Sequence, residues 1–169
     1  VVIVDAVHFV PQSRPRLFVI ANLWSHIAKA SNLPIHEARP RRVIEFIHKN
    51  HDLRWGHVTL PPLPTRKHEL NDLVECFGNT SSVWWDKERQ SHLFTQMSPS
   101  HKLRLRELLK SKRNTFATVY KRVRPVGCRA ELRTDGIAGC LRTPRGGSSK
   151  QFVIQAGRGE WRVRNMTAR

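Results

Sequence analysis

The chain has 169 residues and a formal net charge of +17, with 39% hydrophobic residues, five Trp and seven Phe. So many large apolar side chains exclude a disordered chain, and no apolar run reaches the ~20 residues that a membrane helix needs. Cys76, Cys128 and Cys140 form no Cys-x-x-Cys pair, so their spacing favours a reduced cytoplasmic protein over a zinc site or a disulfide scaffold.

The positive charge is concentrated in the C-terminal part of the chain. Residues 98–169 hold 18 Lys/Arg and 4 Asp/Glu, whereas residues 1–97 hold 12 and 9. So uneven a distribution of positive charge attracts a polyanion, and nucleic acid is the most common polyanion partner. Arg outnumbers Lys here, and a guanidinium suits bidentate contacts to phosphate and to guanine edges. The alternative is that an acidic part of a longer protein balances the charge.

The first predicted elements are two buried strands, 1–6 and 17–21, separated by a segment in which Pro11 and Pro15 forbid a regular helix. Two such strands cannot be covered on both faces by themselves, so we expect them to form the edge of a larger sheet. Together with the abrupt apolar start at Val1, this predicts a fragment of a longer protein.

The rest of the chain divides into a helical middle, about 23–113, and a basic β part, about 116–164. Apolar spacing and capping residues predict helices over 23–31, 40–50, 66–77 and 98–112, and a short strand over 55–60. In the β part, strands are predicted near 119–123, 131–134, 151–156 and 161–164. Gly157-Arg158-Gly159 is typical of a hairpin turn between the last two strands.

Gln12, Arg14 and Arg16 alternate along the segment that enters the strand 17–21. Alternate residues of an extended segment project to one side, so these three side chains are expected to lie together. Two guanidiniums and an amide at the mouth of a buried strand indicate a site for an oxyanion or a carbonyl oxygen. A solvated basic surface loop is the alternative.

The segment 135–151 combines glycines with cations and hydroxyls, a composition that suits a loop entering a DNA groove. Walker spacing is absent, which argues against a nucleotide phosphate loop. A plain flexible loop is the remaining alternative. The predicted DNA contacts in this segment are Arg142, Thr143, Arg145, Gly146, Gly147, Ser148, Ser149, Lys150 and Gln151. Phosphate contacts are predicted for basic residues of the β part, namely Lys121, Arg122, Arg124, Arg129 and Arg133.

The stretch 9–20, Phe-Val-Pro-Gln-Ser-Arg-Pro-Arg-Leu-Phe-Val-Ile, resembles the Gln-x-Arg-x-Arg motif of DNA (cytosine-5) methyltransferases. By that resemblance, Arg16 contacts O2 of the flipped cytosine and Arg14 supports the active site. Segment 135–151 is similar to the family's recognition loop, although Cys140 departs from its Thr-Leu type dipeptide. Residues 163–169 resemble the start of the motif that follows, an Arg-x-Leu-Thr-x-Arg-Glu type sequence.

The resemblance implies an α+β architecture in three parts. Residues 1–22 would be edge strands of a Rossmann-like methyltransferase sheet, 23–162 a target-recognition domain, and 163–169 the start of the return to the catalytic domain. The intact enzyme would transfer a methyl group from S-adenosylmethionine to C5 of cytosine in duplex DNA, in a restriction-modification system of the cytoplasm and nucleoid.

The family's Pro-Cys nucleophile, Glu-Asn-Val motif and glycine-rich cofactor motif do not occur in this sequence. We therefore expect the chain to be inactive alone, to bind neither S-adenosylmethionine nor a metal alone, and to have double-stranded DNA and a catalytic part as partners. One alternative is a subunit of a split methyltransferase. Another is a non-enzymatic nucleic-acid-binding module, which for RNA predicts an exposed aromatic stacking surface.

Overall fold

The computed structural model describes residues 1–21, 33–56, 58–125, 127–141 and 150–167. Within these ranges the chain has a mixed α/β fold with two antiparallel sheets and four α-helices. The helix predicted over 23–31 lies outside the described residues. No helix in the described ranges is both long and apolar enough to cross a membrane.

The elements follow one another in the order strand pair, helices, four-stranded sheet. The strands are β1 Val2–Asp5, β2 Pro15–Phe18, β3 Thr115–Arg124, β4 Gly127–Arg133, β5 Gln151–Gly157 and β6 Glu160–Asn165. The α-helices are α1 Arg41–Lys49, α2 Leu70–Leu73, α3 Lys87–Thr95 and α4 Pro99–Leu109, and a single 3-10 turn covers Ala6–His8.

The larger sheet has the strand order β4-β3-β5-β6, with every neighbouring pair antiparallel. Its apolar face carries Ala117, Val119, Ala130, Leu132, Phe152, Ile154, Ala156 and Val163. Leu93 of α3 and Leu105 of α4 pack against this face and are almost fully buried. The core therefore lies between the sheet and these two helices, where burial of the Leu and Val side chains supplies the main stabilisation.

Helix α4 forms as its sequence predicts. The Ser98 side chain accepts a hydrogen bond from the backbone of His101, and Pro99 occupies the first turn. Leu105 is buried, and Leu108 and Leu109 pack against the same core. The inward positions predicted from the leucine spacing are confirmed.

The β5–β6 turn packs on the C-terminal end of α4. Arg158 N donates to Ser111 O at 2.7 Å and Gly159 N donates to Leu109 O at 2.9 Å. Gly157 has φ +152°, and a Cβ built there would lie 2.3 Å from the Arg113 carbonyl oxygen. The predicted hairpin turn is confirmed, and glycine is required at 157 because the chain passes so close.

The opposite, polar face of the sheet carries Thr118, Tyr120, Arg122, Arg129, Glu131 and Arg133, as the β3–β4 register shows. Thr118 Oγ1 donates to the Ile137 carbonyl at 3.3 Å, so the segment after β4 crosses this face. Arg164 of β6 is 2% exposed. Its guanidinium donates to the carbonyls of Glu75 and Asn165, each at 3.0 Å, and lies over the rings of Phe77 and Trp84.

The N-terminal strands pair antiparallel, with Val4 opposite Arg16. Ile3 lies on a small core around α1 that contains Val43, Ile44 and Ile47, as predicted for that helix. Strand β2 runs only to Phe18, and the apolar residues 17–20 are exposed. The predicted burial of this second strand is therefore wrong within the described residues, because none of them covers it. That β1 and β2 belong to the edge of a further sheet stays a prediction.

Two local predictions fail, and one helix was not predicted. The helix predicted over 66–77 shortens to Leu70–Leu73, begun by a Glu69–Asp72 capping box. It ends at the extended residue Val74, next to the Glu75 carbonyl that Arg164 binds. No strand forms over 55–60 in the described residues, and Trp55 Nε1 instead donates to Asn50 O at 2.7 Å. Helix α3 was not predicted, because its sequence carries almost no apolar stripe.

Candidate nucleic-acid interface

Asp5, at the end of β1, holds the segment that carries the Gln-x-Arg-x-Arg motif. Its Oδ1 accepts from the backbone N–H of Arg14 at 2.6 Å and of Val7 at 3.2 Å, and its Oδ2 accepts from Ser13 Oγ at 3.3 Å. Hydrogen bonds to a carboxylate are the stronger kind. One acidic side chain therefore sets the approach to β2 and the direction of the arginines.

The motif lies directly on the segment that begins the glycine-rich loop. Ala138 N donates to Pro11 O at 2.7 Å and Ser13 N donates to Ala138 O at 2.9 Å. Arg14 Nη1 donates to Leu141 O at 3.3 Å. Arg16 Nη2 lies 3.7 Å from Cys140 Sγ. Two stretches about 125 residues apart in sequence, which were predicted to converge on one nucleotide, thus meet in their described parts.

The three motif side chains differ in their surroundings. Arg14 and Arg16 are exposed, and Arg16 Nη1 also donates to Pro15 O at 2.8 Å. Gln12 is half-buried and its backbone bridges Ala138. Gln12 Nε2 is buried and has no hydrogen-bond acceptor among the described residues. Both guanidiniums thus face a surface that a ligand can reach, while the backbone of Gln12 supports the segment at Ala138.

Leu141 and Lys150, the described residues on either side of 142–149, line one open pocket of about 330 Å³. The residues between them, 142–149, lie outside the described ranges, including the predicted contacts Arg142, Thr143, Arg145, Gly146, Gly147, Ser148 and Ser149. The other residues that line the pocket are Arg89, Gln151, Phe152, Asn165 and Met166. Both anchor points of the predicted recognition loop are thus at one pocket.

Gln151 was predicted to contact DNA, but it is only 9% exposed. Its Nε2 would lie 2.8 Å from a Cβ added to Gly139. A side chain buried against the loop base does not reach into a groove. The structure therefore gives Gln151 a supporting position, whereas its neighbour Lys150 is exposed.

The predicted phosphate contacts of the β3–β4 hairpin do not share one face. Lys121 is opposite Ala130, which is buried on the apolar face, so Lys121 projects toward the side of the helices. Arg122 is opposite Arg129, and Arg133 is opposite Thr118, so all three arginines project from the polar face. Arg124 pairs with Gly127 through the backbone at the end of the hairpin.

Two of the arginines on the polar face are paired with acidic groups. Arg122 Nη2 donates to Tyr120 OH at 2.7 Å, and Arg122 Nε lies 3.3 Å from Glu131 Oε1. The Tyr120 hydroxyl donates to Glu131. Burial is the main cause that raises the pKa of Tyr120, and this hydrogen bond is the second. The phenol therefore stays protonated and the cluster keeps its geometry at neutral pH.

Arg133 makes a bidentate pair with Asp135, with contacts of 2.6 Å and 3.1 Å. Burial raises the pKa of Asp135, but the Arg133 guanidinium and backbone N–H groups outweigh it and lower that pKa below 3.8. Arg129, in contrast, is exposed and makes no ion pair with the described residues. Of these three arginines, Arg129 is the most available to an external anion.

Arg89 of α3 is a candidate that sequence reasoning missed. Its guanidinium carbon lies 3.8 Å from the ring centroid of Trp85, and the side chain lines the pocket between Leu141 and Lys150. The spacing of four residues between Trp85 and Arg89 could have indicated a cation–π contact. It does so only if residues 85–95 are first recognised as a helix and the turn that leads into it.

Comparisons of this chain with protein-family models, with curated proteins and with solved structures give no match. Within the described ranges, no group of three or more His, Cys, Asp or Glu residues could hold a metal ion. The functional interpretation therefore depends on the chain's own residues.

Proposed function

We propose that this chain is the DNA-binding, target-recognition part of a DNA (cytosine-5) methyltransferase, joined through β1 and β2 to a Rossmann-like catalytic sheet. The observation that carries this proposal is the contact of Arg14 and Arg16 with Leu141 and Cys140. A base-contacting motif and a base-reading loop must approach the same nucleotide, and these contacts bring the motif to the described start of that loop.

The charge distribution supports DNA as the partner. The polar face presents the exposed Arg129 beside the paired Arg122 and Arg133, and Lys150 is exposed at the pocket. Phosphate contacts by such groups set the register of a protein on the duplex and make binding depend on salt. Sequence readout then falls to the glycine-rich segment.

In the intact enzyme, Arg16 would act on the cytosine after it has left the helix stack. A nucleophile that adds at C6 increases the electron density on the ring and on O2, and a guanidinium at O2 stabilises that charge where water is excluded. Arg14 would position the loop by holding the Leu141 carbonyl. The nucleophile would come from the catalytic part, because none of the three cysteines here follows a proline.

S-adenosylmethionine, the methyl donor that this proposal implies, does not fit the described pocket. The charged side chains that line it, Arg89 and Lys150, are cations, and they would repel the cationic sulfonium. Its carboxylate could pair with one of them, but no acidic side chain in the lining could bind the ribose hydroxyls or the amine. The donor is therefore assigned to the catalytic part.

An RNA-binding module is less well supported. Such a module stacks bases on exposed aromatic side chains of its sheet. On the described strands of the large sheet, Phe152 is buried, and Phe116, Tyr120 and Trp161 are half-buried. A subunit of a split methyltransferase would use the same DNA surface and differs only in being encoded apart from its catalytic partner.

The test compares two substitutions that remove the same charge from opposite faces of one hairpin. We expect Arg129→Ala to weaken binding to duplex DNA and to reduce the slope of log affinity against log salt by about 0.9, because one phosphate contact is lost. Lys121→Ala should change the slope little, because Lys121 projects toward the helices. Fluorescence anisotropy of labelled duplex between about 50 and 200 mM salt measures both.

Absence of any salt-dependent binding to duplex DNA would contradict the proposal itself. Equal losses for the two variants would contradict the assignment of the phosphate contacts of this hairpin to the polar face. Tighter binding to single-stranded RNA than to duplex DNA would favour the RNA-binding alternative. The reading frame upstream of the Val1 codon tests the enzyme class separately, since a methyltransferase predicts a Pro-Cys and a Glu-Asn-Val motif there.

A further inference from the structure

Arg89 is held in place by an aromatic stack. Its guanidinium lies over Trp85, which is 7% exposed and packs edge-on against Phe152 with 4.7 Å between ring centroids. The backbone N–H of Arg89 is fixed by the Asp86 cap at 2.7 Å. A long side chain usually loses much rotamer freedom on binding, and this support reduces that cost.

The guanidinium of Arg89 makes no hydrogen bond or ion pair with the described residues, so its N–H donors are available to a ligand. It shares its pocket with Leu141 and Lys150, two described residues of the glycine-rich segment. Phe152 and Met166 supply apolar wall, and the exposed Asn165 supplies an amide at the rim. This is a planar double donor at the base of the predicted recognition loop.

We propose that Arg89 is a specificity-determining residue that reads the O6 and N7 atoms of a guanine beside the glycine-rich segment. Guanine presents two acceptors that match the guanidinium fork in the major groove. A phosphate can accept the same guanidinium fork, but Lys150 already supplies a cation for phosphate at this pocket, and the substitution Arg89→Lys distinguishes the two contacts. This assignment rests on the proposed function. It also requires the duplex to extend past the end of the sheet at Lys150 and Asn165, because Arg89 and Trp85 lie on the apolar side.

The experiment uses the whole 169-residue chain and a library of random duplex DNA. Duplexes that bind the unaltered chain, Arg89→Ala and Arg89→Lys are enriched and sequenced. We expect the unaltered chain to prefer guanine at one position, and both variants to lose that preference, because lysine keeps the charge but lacks the fork. Affinity for the enriched site should fall about 5- to 150-fold in Arg89→Ala.

A chemical change in the DNA then identifies the contact. Replacing that guanine with 7-deazaguanine removes the N7 acceptor and should weaken binding of the unaltered chain several-fold. The same replacement should have no effect on Arg89→Ala, because the two changes remove one interaction. Arg42→Ala, an exposed arginine on α1, is the matched control and should keep the guanine preference.

An enriched site that is unchanged in Arg89→Ala would overturn the assignment and leave the proposed function standing. The same holds if Arg89→Ala weakens all duplexes equally and Arg89→Lys restores them, because that identifies a phosphate contact. Failure of the unaltered chain to bind or enrich any duplex would remove both proposals. Arg89→Met, which keeps a chain over Trp85, replaces Arg89→Ala if thermal unfolding shows that the alanine variant does not fold.

Discussion

Asp135→Asn should strengthen DNA binding, although it alters no residue assigned to contact DNA. Asp135 holds Arg133 through contacts of 2.6 Å and 3.1 Å, and Arg133 lies on the polar face. Asparagine keeps an oxygen that can accept the backbone N–H of Ile137, which Asp135 now binds. The substitution therefore removes the charge and releases the guanidinium while it keeps the local turn.

The magnitude follows from exposure. The side chains of Arg133 and Asp135 are 27% and 53% exposed, so loss of their ion pair should cost only about 0.2–1 kcal/mol of folding free energy. Gain of one phosphate contact should steepen the slope of log affinity against log salt by about 0.9. At low salt, one contact between the Arg133 guanidinium and a phosphate should contribute about 1 kcal/mol in water. The affinity for DNA should therefore rise roughly fivefold.

Anisotropy titrations of labelled duplex at several salt concentrations measure the change. Glu107→Gln is the matched control, because it removes the same charge and releases Lys110, 2.8 Å away at the C-terminal end of α4. Helix α4 packs on the apolar face. An equal gain for Asp135→Asn and Glu107→Gln would show a general charge effect. Unchanged or weaker binding by Asp135→Asn would refute the assignment of the interface to the polar face.

Three further outcomes are expected. Gly157→Ala should destabilise the fold by about 2–4 kcal/mol in urea unfolding, because its Cβ meets a backbone oxygen at 2.3 Å, whereas Gly78→Ala, with nothing within 4 Å, should change the free energy of unfolding little. Arg164→Ala should cost about 1–3 kcal/mol, because two partly buried carbonyls lose their donor, and no measurable loss would contradict this. The pKa of Asp135 is lowered on folding. Ionised Asp135 therefore stabilises the fold above pH 3.8, and this contribution should disappear as the pH falls through the lower pKa of the folded state. Acid unfolding of Asp135→Asn should lack this contribution.

Local signals in the sequence were sufficient for several elements. Helix α4 follows from Ser98, Pro99 and the leucine spacing, and the β5–β6 turn follows from Gly157 and Gly159. Helix α1 follows from Val43, Ile44 and Ile47. In each of these, neighbours within about four residues determine the conformation, so no knowledge of the tertiary structure is needed.

Other elements depend on partners that are distant in sequence. The helix that starts at Leu70 stops at Leu73, beside the Glu75 carbonyl that binds Arg164 of β6. Helix α3 has little amphipathic pattern, so Leu93 alone marks its buried side. Residue spacing within the segment contains no information about such contacts.

From its sequence alone, the chain's charge asymmetry, its arginine motif and its glycine-rich segment could be recognised, because composition and spacing are properties of the chain itself. Only the tertiary structure placed Arg14 and Arg16 against Cys140 and Leu141, separated Lys121 from the arginines of the polar face, and brought Arg89 to the same pocket as Lys150. The physical reason is that strand register and long-range packing decide which side chains share a face, and a shift of one residue would reverse every such assignment.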